Sequence, residues 1–485
     1  MPDTVSLVTT IGLEIHVELK TLTKMFCGCA VGFGGDPNTR VCPVCMGHPG
    51  TLPVANEKAI EYTMSIAMAL GCDVAPRSIF HRKNYFYPDM PKNYQISQYD
   101  IPIGGVGKLE IEVAGKVHEV GITRVHLEED TGKSLHVGGG GRIHESTYSL
   151  EDFNRAGTPL VEIVTEPDIT SPEVARAFVT ELRSIIEYLG VSDVRMEEGS
   201  MRVDANISVA PPGERGTKAE VKNMNSIRSV FRALEYEQRR QSDLLSQGGG
   251  LEQSTRHWDE KTGVTHAMRT KEFAFDYRYF PEPDLLPIEP SVEWLRQLRE
   301  EIPELPAERR TRLVAEQGVT PDQAAVLTAS RAIGEFFDEA RVAANKAEPR
   351  QVANWIANDV SGLLAAGGED FNTLKISPAD LAKLVDLVAE GELSKAQGAK
   401  VLGEMVSTGT GPDPIIEREG MKQVSDPAAI EAAVDQAIKD NPEVADRIRA
   451  GEDKPFGFMV GQVMKHTKGQ GNPGMINDLL RKRLR

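Results

Sequence analysis

Residues 11–20, IGLEIHVELK, place three potential metal ligands on one side of a strand. Apolar side chains alternate with Glu14, His16 and Glu18, and side chains two residues apart in a strand share a face. Such a face has two interpretations. It either meets water at the open side of an antiparallel sheet, or its carboxylates and imidazole bind a cation. This strand alone favours solvent, so the choice depends on acidic residues elsewhere.

Three further segments predict strands with acidic polar faces. They are TRVHLEED (123–130) with Glu128 and the out-of-phase Glu129, RVDANIS (202–208) with Asp204, and KAEVKN (218–223) with Glu220. Like charges gathered on one surface destabilise it unless a cation lies among them. Carboxylates with one imidazole suit Mg²⁺ or Mn²⁺ better than zinc. Four separate solvated faces remain the alternative.

Four of the five cysteines form two close pairs. Twelve residues of a glycine-rich loop separate Cys27 and Cys29 from Cys42 and Cys45. This spacing predicts a tetrahedral zinc site between residues 27 and 45, and four protein ligands would make the zinc structural. Unligated thiols are the alternative. Cys72 stands alone and is interpreted as a core residue.

Neither glycine-lysine segment of the chain is a phosphate-binding P-loop. EEDTGKS has Leu127 where the motif needs its first glycine, and GGVGKL has Pro102 there and Leu109 after the lysine. If ATP binds, its phosphates must be held by metal-bridged carboxylates and basic side chains.

The sequence pattern changes near residue 290 from strand-like to helix-like, which predicts an α+β protein of about three domains. Alternating segments dominate the first part, interrupted by helices predicted from Ser171-Pro172 and from Ser226. Beyond the proline-rich stretch 281–290, repeated cap-then-proline signals predict helices almost throughout. We predict a mixed α/β catalytic part at 1–290, a helical domain at 291–408 and a small helical tail at 409–485.

The net charge of −17 argues against general nucleic-acid binding. Residues 454–485 are the exception, with seven basic residues against one acidic residue. A nucleic-acid contact made by charge should therefore lie at this end, although a solubilising tail explains the charge equally well. The chain also lacks an N-terminal targeting pattern and a membrane-spanning apolar run, which predicts a cytoplasmic protein without membrane contact.

Long segments of the chain, in order and spacing, resemble the B subunit family of the bacterial aspartyl/glutamyl-tRNA(Asn/Gln) amidotransferases. The segments are IGLEIHVELK, RKNYFYPDMPKNYQISQYD (82–100), HLEEDTGKS, DFNRAGTPLVEIVTEPD (152–168), MRVDANIS, AEVKNMNS, DYRYFPEPDL (276–285) and KPFGFMVGQVMKHTKGQGNP (454–473). The resemblance implies a cradle-like N-terminal catalytic domain and a tRNA-binding tail.

The resemblance also implies an activity, an ATP-dependent carbon–nitrogen ligase that uses glutamine as amido donor. ATP phosphorylates the side-chain carboxylate of Glu-tRNA(Gln) or Asp-tRNA(Asn), and ammonia then displaces the phosphate. The expected Mg²⁺ (or Mn²⁺) and catalytic cluster is Glu14, His16, Glu128, Glu129, Asp204 and Glu220. The expected ATP-binding residues are Lys83, Arg155, Asn206 and Lys222. The four cysteines match the zinc knuckle of some family members, and the expected tRNA contacts are Lys454, Lys465, Lys468, Arg481, Lys482 and Arg483.

Partners follow from what the chain lacks. It shows no glutaminase motif, and the resemblance implies a heterotrimer with an amidase A subunit and a small C subunit, acting on mischarged tRNA and in contact with a non-discriminating synthetase. Two other functions stay open: a tRNA-binding scaffold without chemistry, and a stand-alone metal-dependent phosphotransferase or hydrolase.

Overall fold

The computed structural model describes residues 6–138, 146–268, 277–421, 427–452, 454–467, 471 and 473–484. The chain divides into two compact units, Met1–Pro306 and Ala307–Arg485. The first unit combines sheets with helices, and the described elements of the second are helical. The predicted α+β class is confirmed. Among the described residues, no helix is long and apolar enough to cross a bilayer.

The strands of the first unit are β1 Val8–Glu18, β2 His81–Asn84, β3 Tyr94–Ser97, β4 Gly107–Val113, β5 Lys116–Glu129, β6 Lys133–Val137, β7 Tyr148–Asp152, β8 Pro159–Thr165, β9 Met201–Ala210, β10 Ala219–Met224, β11 Ser254–Asp259, β12 Val264–Ala267 and β13 Phe280–Pro281. Eight of these described strands form one sheet in the order β12-β11-β10-β9-β1-β8-β5-β4. Strands β13-β2-β3 form a small sheet, and β6-β7 form a hairpin. The opening strand therefore lies at the centre of the main sheet.

The helices of the first unit are α1 Glu57–Ala69, α2 Pro172–Leu189, α3 Ile227–Ser246 and α4 Val292–Glu301. The predicted caps are confirmed: Ser171 and Ser226 accept hydrogen bonds from the first turns of α2 and α3, and Gly190 ends α2 in a left-handed conformation. Helix α3 packs on β9 and β10 and α1 on β5, covering the apolar side of the sheet, where Ile11, Leu13 and Ile15 are fully buried. The opposite side of the central strands carries the polar residues.

Helix α3 is tied to the sheet by a buried ion pair. Glu237 is fully buried and its carboxylate lies 2.8 Å from both Arg240 Nη2 and Arg256 Nε, with Thr265 donating a further hydrogen bond. Burial alone would raise the pKa of Glu237, but Arg240, Thr265 and Arg256 hold it below the ordinary value. A carboxylate with a depressed pKa stabilises the fold at neutral pH.

We therefore expect Glu237→Gln to lower the free energy of unfolding by about 3 kcal/mol at neutral pH, because it leaves two guanidinium groups without their buried partner. The difference should be complete above the ordinary glutamate pKa of about 4.3 and should vanish as the pH falls through the lower folded pKa. Chemical denaturation across pH measures it. Glu235→Gln, at an exposed position of the same helix, is the control, and equal stability of Glu237→Gln and wild type at pH 7 would contradict the expectation.

The second unit contains helices α5 Pro306–Gln317, α6 Pro321–Leu327, α7 Arg331–Ala343, α8 Pro349–Asn354, α9 Ser361–Gly367, α10 Pro378–Ala389, α11 Lys395–Thr408, α12 Pro412–Glu419, α13 Pro427–Asp440, α14 Pro442–Arg449, α15 Phe456–His466 and α16 Pro473–Leu484, with a π-helical segment at Trp355–Val360. Two apolar cores lie within it. One runs from Leu313 to Ile416 and the other from Ile430 to Leu484. Helix α12 packs on α10 and α11 and so contributes to the first core.

Candidate functional site

The polar side of the main sheet brings together residues that lie far apart in sequence. In the pairing register His16 of β1 is opposite Glu162 of β8, and His126 of β5 is opposite Glu162 from the other side. Glu128 lies two residues beyond His126, on the same face. Because β8 separates β1 from β5, the central position of this cluster belongs to Glu162.

The cluster has the dimensions of a metal site. His16 Nε2 lies 3.3 Å from Glu162 Oε2 and 3.9 Å from Glu128 Oε1, and ligand atoms of the three residues all lie within 4.8 Å of one another. Both carboxylates are buried, at 8% and 2% exposure. Two carboxylates and one imidazole fit Mg²⁺ or Mn²⁺ in donor chemistry.

A second histidine balances the charge of the buried carboxylates. His126 Nε2 lies 3.4 Å from Glu162 Oε2 and 3.6 Å from Glu128 Oε2. Burial disfavours the imidazolium, yet these carboxylates outweigh it and raise the pKa of His126 to about 9. In the same way Glu162 and Glu128 raise the pKa of His16 against the effect of burial. A cation bound directly by His16 would therefore compete with a proton.

Glu14, Asp204 and Glu220 form a neighbouring group further along the sheet. Glu14 is opposite Asp204 in the register of β1 and β9, and Lys222 Nζ lies 2.5 Å from Asp204 Oδ2 and 3.5 Å from Glu220 Oε1. Lys222 therefore compensates part of the negative charge. Of the described residues in the predicted Mg²⁺ cluster, only His16 and Glu128 belong, together with Glu162, to a group of three ligands whose atoms lie within 4.8 Å of one another.

Asn206 joins this neighbouring group. Its Nδ2 donates to Glu14 Oε1 at 3.1 Å, and its Oδ1 is buried without a hydrogen-bond partner among the described residues. A buried polar atom without a partner is costly in a completed structure. The unpaired Oδ1 could accept a hydrogen bond from a polar ligand.

Lys83 faces the metal-site cluster from the small sheet. Burial lowers the pKa of its ammonium group, but Glu128, Tyr279 and Glu162 outweigh this and hold the pKa above the ordinary value. Ser97 of β3 donates to Glu128 Oε2 at 2.9 Å, and in the strand register Ser97 is paired with His81, two residues from Lys83. One face of the small sheet therefore looks onto the carboxylates.

Glu129 and Arg155 have other partners. Glu129 points to the opposite side of β5, where Lys92 pairs with its carboxylate and the backbone N–H of Ile96 donates to Oε1 at 3.0 Å. Arg155 donates to the carbonyls of Thr131 and Gly132 at 3.0 and 2.8 Å, where it supports the loop after β5. Neither side chain reaches the His16 cluster.

The four cysteines converge as a second group of potential metal ligands. Sγ atoms of Cys27, Cys29, Cys42 and Cys45 all lie within 4.8 Å of one another, a donor set that fits tetrahedral zinc. Lys24, only 1% exposed, places Nζ 3.7 Å from Cys45 Sγ. Four thiolates around Zn²⁺ leave net negative charge, and this buried ammonium offsets part of it.

The described candidate tRNA contacts are exposed side chains on the helices that surround the second core of the helical unit, and they differ in their partners. Lys454, Lys465 and Lys482 are exposed. The Arg481 guanidinium lies 5.9 Å from the Phe456 ring centroid, and Arg483 pairs with Asp435 at 3.3 Å. Lys468 lies outside the described residues.

Glu162 is the functional candidate that the sequence analysis missed. It is the one acidic residue within β8, whose other side chains are apolar or Thr165, so a strand buried on both faces was the simplest interpretation. A single glutamate in such a run was the available signal, because an unpaired buried carboxylate is costly. His126, which shares the polar face of β5 with Glu128, was not assigned to the site either.

The fold and the site define a protein with a cluster of potential metal ligands on one sheet face, a four-cysteine loop and a helical C-terminal part. Residues 9–296 match the family model described as GatB/GatE catalytic domain, and residues 335–484 match the GatB domain. The chain belongs to the family of B subunits of aspartyl/glutamyl-tRNA(Asn/Gln) amidotransferase.

Three relatives with that name illustrate the similarity. The subunit from Carboxydothermus hydrogenoformans is 50% identical over 98% of both chains. The subunit from Moorella thermoacetica is 51% identical over 98% of this chain and 99% of its own. The subunit from Frankia casuarinae is 52% identical over 98% of this chain and 95% of its own. The resemblance inferred from the sequence segments is thereby confirmed.

Proposed function

We propose that this chain activates the side-chain carboxylate of glutamate or aspartate esterified to tRNA, as one subunit of an ATP- and glutamine-dependent amidotransferase. The observation that carries the proposal is the His16, Glu128 and Glu162 cluster on the central strands of a chain from this family. Phosphoryl transfer needs positioning and charge compensation more than covalent catalysis, and this sheet face supplies both.

The chemistry has two steps. The substrate carboxylate attacks the γ-phosphorus of ATP and ADP leaves. Ammonia then attacks the acyl carbon, loses a proton, and phosphate leaves, so that Gln-tRNA(Gln) or Asn-tRNA(Asn) forms. Phosphorylation is needed because a carboxylate oxygen is a poor leaving group and phosphate is a good one.

Different residues of the sheet face bind the cation and the anionic groups of the substrates. We propose that His16, Glu128 and Glu162 bind Mg²⁺ or Mn²⁺ directly, with Glu14, Asp204 and Glu220 completing the acidic surface. When bound, the cation compensates charge on the phosphate and the substrate carboxylate. Lys83, on the small sheet, binds an anionic oxygen of the substrates. Lys222 and the unpaired Asn206 Oδ1 bind polar groups of the substrates on the β9 side of the site. Arg155 supports the adjoining loop.

The partners in this proposal are an amidase A subunit that releases ammonia from glutamine, a small C subunit and the mischarged tRNA, in a cytoplasmic heterotrimer that also contacts a non-discriminating synthetase.

Residues 1–290 carry the activation chemistry, 291–408 form the helical domain and 409–485 the tRNA-binding tail. The basic, exposed side chains of α15 and α16 support the last assignment.

Reconstitution tests the proposal. The chain, purified with the A and C subunits, should convert Glu-tRNA(Gln) or Asp-tRNA(Asn) to the amide only with ATP, a divalent cation and glutamine together. Binding of the mischarged tRNA without ATP hydrolysis would instead support a scaffold. Phosphoryl transfer by the isolated chain, without partners, would support a stand-alone enzyme. Assaying both tRNAs separately identifies the substrate.

We also propose that Cys27, Cys29, Cys42 and Cys45 bind one structural zinc ion. Purified protein should contain close to one zinc per chain, and Cys42→Ser should lower zinc content and thermal stability more than activity per folded molecule. Elemental analysis and thermal unfolding measure these quantities. Cys72→Ser, which removes a buried thiol outside the group, should leave zinc content unchanged. Protein prepared without chelator that contains no zinc would contradict the assignment.

A further inference from the structure

Aromatic rings line the small sheet on the side of the proposed activation site. Tyr99 and Tyr279 stack with ring centroids 4.4 Å apart and planes inclined by 12°. Tyr277 meets Tyr279 edge to face at 6.1 Å, and Tyr85 meets Tyr277 in the same way. The four rings form a continuous group, which we call the tyrosine wall.

The register of the small sheet directs this wall toward the carboxylates. Arg82 and Phe280 are paired across β2 and β13 and share one face, where Arg82 lies 5.8 Å from the Phe280 ring. Tyr279, the residue before β13, lies on the side of Lys83, because both side chains contact the Tyr277 ring. Burial and the charges of Glu128 and Glu162 raise the pKa of Tyr279 to about 12, against the opposing charge of Lys83, so its hydroxyl lies within their field.

Tyr99 extends the same face outward. Ser97, which donates to Glu128 at 2.9 Å, precedes it by two residues, a separation of about 7 Å in extended chain. Gln98 between them is 2% exposed, whereas Tyr99 is 51% exposed. One face of the Tyr99 ring is covered by Tyr279, and the His81 ring meets it edge to face at 6.2 Å. About half of the Tyr99 side chain nevertheless stays exposed near the site.

A cationic side chain, Lys83, lies beside the tyrosine wall. Lys83 Nζ lies 5.0 Å from the Tyr277 ring centroid and interacts with Glu128 and Glu162. These features correspond to the two parts of a nucleotide. The aromatic surface suits the flat base, and the ammonium group with the potential metal ligands suits the anionic phosphate oxygens. Aromatic side chains bind unpaired bases by stacking, independently of base-edge hydrogen bonds.

We propose that the exposed face of Tyr99, backed by Tyr279, is a stacking platform for an adenine ring at the activation site. This proposal rests on the proposed function and adds a base-binding residue to it. Two sources supply an adenine there, ATP and the 3′-terminal adenosine that carries the amino acid on tRNA. Both would place a purine beside a reacting group held at the carboxylates.

Equilibrium binding to the assembled complex tests the platform without depending on catalysis. Tyr99→Ala should weaken binding of the adenine-bearing ligand by about tenfold, because stacking on one aromatic side chain is worth that order of affinity. Tyr99→Phe keeps the ring and should stay within about twofold of wild type. Thermal unfolding of both variants checks that the fold is intact.

Paired ligands identify the source of the base. If the platform binds ATP, Tyr99→Ala loses affinity for Mg·ATP but not for inorganic tripolyphosphate. If it binds the tRNA end, the loss appears with deacylated tRNA ending in CCA but not with the same tRNA lacking the terminal adenosine. Unchanged affinity for both adenine-bearing ligands, or an equal loss for tripolyphosphate and ATP, would overturn the proposal. Because none of these measurements needs turnover, a complex that binds normally but fails to amidate would count against the proposed function alone.

Discussion

Glu128→Gln and Glu162→Gln should each lower ATP-dependent amidation of mischarged tRNA by more than about 100-fold, since even the outer neighbours of metal ligands typically contribute 10- to 100-fold. Each substitution keeps the shape of the side chain and removes one negative charge from the metal-site cluster. The measurement is the initial rate of amide formation by the assembled complex at saturating ATP. We expect Glu14→Gln, in the neighbouring group of Glu14, Asp204 and Glu220, to lower the rate as well.

 

The control for these variants lies on β5, the strand of Glu128. Glu119 is an exposed residue of β5 that pairs with Lys108, and Glu119→Gln should amidate at the wild-type rate. Glutamine hydrolysis by the partner subunit should continue in every variant, because its chemistry does not use this sheet face. Amidation within a few fold of wild type by Glu162→Gln would remove Glu162 from the site and leave the cluster without its central carboxylate.

Removal of the second core of the helical unit should weaken tRNA binding and flatten its salt dependence. The cut belongs after Met421, because α12 contributes Ile415 and Ile416 to the preceding core and a cut at Gly411 would open that core. Each lost phosphate contact should reduce the slope of log affinity against log salt by about 0.7 to 0.9. Binding of mischarged tRNA to the truncated complex across a salt series measures both quantities.

Point variants distinguish the loss of phosphate contacts from the loss of folded structure. Lys454 and Lys465 are exposed, so the double change to alanine should reduce the slope by about 1.5 while the helices stay packed. Lys439 is also exposed in this part of the chain but lies beside acidic residues, and Lys439→Ala should change little. A truncated complex with wild-type affinity and slope would show that the tail is a solubilising segment.

Local features of the fold could be read from the sequence because they depend on neighbouring residues. The alternation in β1 and β9 predicted their buried and polar faces, and the serine caps of α2 and α3 predicted where those helices begin. The convergence of the four cysteines was also predicted, because two short pairs on one loop leave little freedom of arrangement.

The order of strands in the sheet could not be read in this way. Pairing of β1 with β8 and β9 joins segments about 140 to 200 residues apart, and the alternation of one strand carries no information about its neighbours. Glu162 was missed for this reason: only the placement of β8 between β1 and β5 makes it the residue shared by both histidines.

The sequence by itself determined the family, the α+β class, the polar faces of the strands and the cysteine group, since each follows from residue types at short spacing or from long matching segments. Tertiary structure alone decided which carboxylates meet. It paired Glu129 with Lys92, paired Lys222 with Asp204, and placed Glu162 between His16 and His126. The physical reason is that strand pairing is non-local, and metal-ligand distances of a few ångströms are set only once the strands are side by side.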